Sequence, residues 1–150
     1  MLDFIEVFFL DLSLDYCIMR TVMKKETEMK TTFDFGNGLV AARRHINGGG
    51  WVADTAVVDE TAFVGPNALV YGNAMVGEFA EVGGDARVFG NAKVYGNAEV
   101  SGNAVVFGKA KVSGYAEVYG DAKVFGNAEV YGIATVCGNA EVYGDAVVYE

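Results

Sequence analysis

The chain of 150 residues sets 20 Asp and Glu against eleven Lys and Arg, a formal charge of −9, and carries 20 glycines with a single proline. That balance argues against nucleic acid as a partner, since the basic residues form no run longer than the pairs Lys24-Lys25 and Arg43-Arg44. It would also repel an acidic membrane surface. Cys17 and Cys137 stand far apart without metal-type spacing, which argues against a disulfide framework or a structural zinc.

Residues 1–30 share no pattern with the rest of the chain. Leu2, Ile5, Phe9, Leu12 and Tyr16 recur at helical spacing and predict a short amphipathic helix. Met23 and Met29 are alternative starts, in which case residues 1–22 or 1–28 are upstream sequence. The opening MLDFIEVFFL places acidic rather than basic residues around its apolar stretch, unlike a secretory signal. No apolar run reaches the length needed to span a bilayer, so the expected compartment is the cytoplasm. Lys24 to Lys30 is a charged connector.

Residues 31–50 read as a cap. Thr32 to Phe35 is strand-like, Gly36-Asn37-Gly38 is a turn, and Leu39 to Ala41 returns as a second short strand. Next come Arg43-Arg44-His45 and then Asn47-Gly48-Gly49-Gly50, a run that takes unusual backbone angles at little cost. Trp51, the only tryptophan, stands where the repeat begins and is expected to cover the end of an apolar column, as solenoids require.

From Ala56 onward a six-residue period takes over. Alanine recurs at every sixth position to Ala146 and valine two residues after each, from Val58 to Val148, sixteen of each without a miss. A period this strict outranks local propensity. In the pattern A-x-V-x-G-N, alternation places Ala and Val on one face and the residue between them on the other. Gly, then Asn or Asp, come next in most copies and tolerate the left-handed angles of a sharp corner. Each hexad is therefore a short strand and a corner, and residues 51–150 form the solenoid.

The GNAKVYGNAEV run at Gly90 to Val100 shows the pattern at its purest, and over Ala56 to Val148 it resembles the hexapeptide-repeat superfamily. That resemblance implies an all-β fold, a single-stranded left-handed parallel β-helix of triangular coils with three hexads each. Sixteen hexads make a little over five coils, about 25 Å at roughly 4.8 Å per coil. The chain is also similar to bacterial and phage proteins with near-perfect GNAxVxG runs.

With three hexads per coil, outward residues sort into three walls. One carries an aromatic row, Tyr71, Phe89, Phe107, Phe125 and Tyr143, and is expected to be an oligomer face. Trimers packed side by side are what the resemblance implies. A second wall carries Val57, Met75, Lys93, Lys111, Glu129 and Val147 beside Asp59, Gly77, Tyr95, Ser113, Tyr131 and Tyr149. The third stacks Glu81, Glu99 and Glu117, a solvated acidic face or a site for a cation or basic partner. Like charges about 5 Å apart in water cost under roughly 1 kcal/mol per pair. Corner residues such as Asn103 and Asp121 stack as well, and axial side-chain hydrogen bonds are expected there.

These features leave two function classes. The first is a structural or binding solenoid that self-associates, side by side as a homotrimer or end to end through the uncapped strands at Ala146 to Glu150, with no cofactor. The second, implied by the resemblance, is an acyltransferase using acetyl-CoA with a histidine base at a subunit cleft. His45, the only histidine, is its sole candidate, with Asp34 or Asp54 to orient it if the cap folds back. No loop interrupts the hexads. The zinc-dependent carbonic anhydrases of similar fold need three histidines, and one excludes that chemistry. Cys137 faces outward without a histidine in the repeat, so no nucleophile is expected there. Ice binding would call for a Thr-x-Thr array, and Thr135 is the only threonine after Thr61.

Overall fold

A computed structural model of the chain describes residues 31–150. The helical spacing of Leu2 to Tyr16, the alternative starts at Met23 and Met29, and Cys17 lie outside the described residues. Among those described there is no helix, and none is therefore long and apolar enough to cross a membrane.

Strand β1 (Thr31–Asp34) and strand β2 (Leu39–Arg44) precede the repeat. Asp34 closes the turn between them, its Oδ1 accepting the amides of Gly36 at 2.7 Å and Gly38 at 2.9 Å. The solenoid then runs as short strands six residues apart, because each hexad alternates in and out once before its corner turns the chain. Every third strand pairs in parallel. Sheet A holds β1, β2, β3 (Trp51–Ala53), β6 (Leu69–Val70), β9 (Arg87–Val88), β12 (Val105–Val106), β15 (Lys123–Val124) and β18 (Glu141–Val142). Sheet B holds β4 (Val57–Val58), β7 (Met75–Val76), β10 (Lys93–Val94), β13 (Lys111–Val112), β16 (Glu129–Tyr131) and β19 (Val147–Tyr149). Sheet C holds β5 (Phe63–Val64), β8 (Glu81–Val82), β11 (Glu99–Val100), β14 (Glu117–Val118) and β17 (Thr135–Val136).

Register is uniform: Lys93 pairs with Lys111 and Val94 with Val112, so valine stacks on valine from one coil to the next. The result is a parallel β-solenoid of about six turns. The count exceeds five because β3, one hexad before Ala56, already pairs in parallel with β6, Trp51 to Leu69 and Val52 to Val70.

Inward slots form one core from Val52 to Val136, whose valines and alanines are at most 4% exposed, with Val58 half-buried against it. Burying a valine side chain stabilises the fold by about 1.5–3 kcal/mol. In the final coil, Ala140 and Ala146 are exposed and Val142 and Val148 half-buried, since no further coil covers them among the described residues.

Corners explain the glycines. Gly108 has φ 72°, a left-handed angle costly for any residue with a Cβ, and a Cβ there would stand 3.0 Å from the Gly126 amide nitrogen in the next coil. Glu78, at φ 59°, is the one non-glycine residue with positive φ among those described, and its amide donates to Asp59 Oδ2 at 2.8 Å.

The cap differs from expectation in two respects. Strand β2 runs on to Arg44 and pairs antiparallel with β3, Arg44 against Trp51, so the strands of the cap prolong sheet A. Trp51 does not cover the apolar column. It occupies the outward slot of β3, stacks on Phe33 with centroids 4.6 Å apart, and lies under the Arg44 guanidinium at 4.2 Å. Residues His45 to Gly50 cover the first coil instead. The Gly50 amide donates to Val64 O at 2.9 Å and the Val64 amide to Asn47 O at 3.0 Å. Cβ atoms at Gly48 or Gly50 would sit within 2.4 Å of backbone carbonyl oxygens, so only glycine fits this approach.

Candidate functional site

Outward positions of sheet A carry the aromatic row. Each ring comes directly after an inward valine, so in-register pairing alone superposes the rings. Tyr71, Phe89, Phe107, Phe125 and Tyr143 stack with centroids 4.8–5.4 Å apart and planes within 16° of parallel. The row is longer than the repeat: Phe35 stacks on Tyr71 at 4.9 Å, and Phe33 meets Phe35 edge-on at 4.8 Å. Phe35, Ala42 and Ala53 thereby make a second small core with Phe33, Trp51, Leu69 and Tyr71. Within the row, ring faces cover one another. Tyr71, Phe89, Phe107 and Phe125 are half-buried, while Tyr143 at the end is 60% exposed. Burial holds the Tyr71 hydroxyl above the ordinary tyrosine value of 10.0, with the Arg87 charge opposing in part.

Sheet C carries the glutamates. Glu81, Glu99 and Glu117 are register partners, and all three are exposed. Among the described residues no group of three or more His, Cys, Asp or Glu is placed to hold a metal ion. Cys137 is exposed on the same sheet, in the column above Tyr119.

His45 is buried, 6% exposed. Its Nδ1 lies 3.0 Å from Asn47 O and its Nε2 3.0 Å from Asp59 O, while the Asn47 side-chain amide donates to Ala62 O at 3.1 Å. The Asn47 amide also donates to Nδ1 at 3.3 Å, and the contact of Nε2 with Asp59 O ties the cap to the first coil. The carboxylates considered for it are engaged elsewhere: Asp34 holds its own turn and Asp54 lies 3.6 Å from Arg43.

Ion pairs between coils are a feature that the stacking of columns alone did not assign. Lys111 donates to Glu129 at 2.6 Å and Lys123 to Glu141 at 2.9 Å. Their signal in the sequence is an opposite charge 18 residues on, in the same column. The Glu129 carboxylate raises the Lys111 ammonium above its usual range. Corner ladders close at Asn103–Asp121, 3.0 Å, and Asn127–Asp145, 2.9 Å.

Fold and surface together define a parallel β-solenoid, with three differently decorated walls. Compared with protein-family models, curated proteins and solved structures, the chain finds no match.

Proposed function

We propose that this protein is a structural, self-associating solenoid of the left-handed hexapeptide-repeat type, whose outer walls serve as contact faces and which needs no cofactor. The observation that carries the reading is the unbroken aromatic row on sheet A, which turns a continuous line of ring edges outward on an otherwise acidic protein. Apolar stripes of this kind suit association with a second protein surface. The charge of the chain disfavours nucleic-acid and acidic-membrane partners, and the glutamate column of sheet C serves as the solvated side. The arrangement of His45 supports the same reading over acyl transfer from acetyl-CoA. A general base needs a nitrogen lone pair within reach of substrate, whereas the His45 ring is buried, with Nδ1 against the amide and carbonyl of Asn47 and Nε2 against Asp59 O.

The test is the Phe89→Ser, Phe107→Ser, Phe125→Ser triple variant of the full chain, with its fold checked by circular dichroism. Its mass in solution is expected to fall below that of the wild type. An unchanged assembly state would rule out sheet A as a contact face.

A further inference from the structure

Sheet B differs from the other two walls in being both exposed and nearly charge-balanced. Sheet C would repel its own copy through the glutamate column, and sheet A covers much of its apolar surface within the ring stack. On sheet B only Tyr131 and Tyr149 stack, at 5.4 Å, and the wall stays open: Met75 is 44% exposed, Tyr95 and Tyr131 are each 39% exposed, and Tyr149 is 67% exposed. Lys93 makes no ion pair with any described residue, whereas Lys111 is paired with Glu129. Gly77 leaves a gap in its column between Asp59 and Tyr95. The gap is a groove of about 150 Å3 lined mainly by Val57, Asp59, Met75, Gly77, Lys93 and Tyr95. A space of that size accepts a benzene-sized ring.

These features become complementary under one symmetry operation. A two-fold axis running over the outer surface of the wall, parallel to strand β13, keeps each column opposite itself and reverses the order of the coils. Strand β10 then faces β16 of the second copy, and β7 faces β19, since β10 and β16 flank β13 and β7 and β19 lie one strand further out. Lys93 meets the Glu129 of the second copy, and by symmetry Glu129 meets its Lys93. Met75 meets Val147, Tyr95 meets Tyr131, and the exposed Tyr149 ring meets the groove at Gly77. Lys111 faces its own copy at the axis, each ammonium drawn to the Glu129 carboxylate of its own chain at 2.6 Å, so that Glu129 lies between Lys111 and the Lys93 of the second copy.

Resting on the reading of this chain as a self-associating solenoid, we infer that sheet B is an isologous interface that binds a second copy antiparallel, with Tyr149 of each copy filling the Gly77 groove of the other and Lys93 paired to Glu129 across the contact. Five strand rows about 4.8 Å apart, each about six residues of roughly 3.3 Å, bury about 500 Å2 per copy. The total reaches the roughly 1,000 Å2 at which interfaces become specific. Symmetry makes every favourable or unfavourable contact count twice.

The experiment is sedimentation velocity on the full chain with Lys93→Glu, Glu129→Lys and an equimolar mixture of the two. Each variant alone puts like charges opposite each other at both ends of the contact. Each is expected to weaken pairing by about a hundredfold and to halve the mass of the wild-type species. In the mixture every Lys–Glu contact is restored between unlike chains, so the pair is expected to reassemble as a heterodimer across sheet B. Gly77→Leu, whose Cβ would meet only the Asp59 carboxylate, at 3.1 Å, is expected to keep the fold by circular dichroism and to abolish the same contact. A wild type that assembles while neither charge variant weakens it, or a mixture that fails to reassemble, overturns the sheet-B interface and leaves the broader assembly reading in place. A wild type that stays monomeric at every concentration overturns both.

Discussion

At the scale of single residues, two positions set measurable costs. Gly108 and Gly144 occupy equivalent corners with φ 72° and 66°, but of the two only Gly108 has another described coil against it. Gly144→Ala is therefore expected to cost about 1–2 kcal/mol from the left-handed angle alone. Gly108→Ala adds the approach of its Cβ to Gly126 and costs distinctly more. Denaturant unfolding of the two variants checks the order, and equal costs would show that the glycines serve conformation only. Tyr71 gives a pH dependence. Its folded-state hydroxyl titrates above the ordinary 10.0 because burial disfavours the phenolate, so the stabilisation is complete below about pH 10 and is lost as pH rises through the raised value. Tyr71→Phe keeps the ring stacked and removes this loss. The alkaline limb of the stability profile should be shallower in the variant than in the wild type, and superimposable limbs would contradict the assignment.

At the scale of the strand and coil, stability is a sum over stacked neighbours. Val106 is fully buried in β12, between β9 and β15, and Val106→Ala is expected to cost about 2–3 kcal/mol in lost transfer and cavity terms. The half-buried Val148 in β19 should cost less on the same substitution, by thermal or denaturant unfolding. This level was legible in the sequence because the Ala-x-Val alternation and the six-residue period both report a local geometry repeated many times. The three walls emerged once residues 18 apart were stacked, and the aromatic row with them. The features that escaped lie where the period is absent. Trp51 looked like an end plug by position, but antiparallel pairing of β2 with β3 turns it outward. Phe33 and Phe35 extend the aromatic row only because β1 and β2 fold onto sheet A, a tertiary choice no periodicity encodes. The run of glycines at 48–50 suggests unusual backbone angles, but the closer reason is steric, since Val64 leaves no room for a Cβ at Gly48 or Gly50. As the only histidine, His45 is the one candidate base in the sequence. Its setting among the carbonyls of Asn47 and Asp59 depends on the path of that same aperiodic segment.

At the scale of the whole molecule, the repeat makes a scaffold whose differences are confined to its outside. The inward slots of the hexads hold nothing but alanine and valine, so they carry stability. Chemistry that distinguishes one coil from another sits in the outward columns: rings on sheet A, glutamates on sheet C, and on sheet B a groove with a lysine, a glutamate and exposed tyrosines. The function proposed above is that these walls join copies of the chain. Sedimentation equilibrium of the full chain over a wide concentration range tests that claim most directly. The expected result is a mass that is a whole-number multiple of 16.0 kDa and that dissociates on dilution. A single species of 16.0 kDa at every concentration would contradict it.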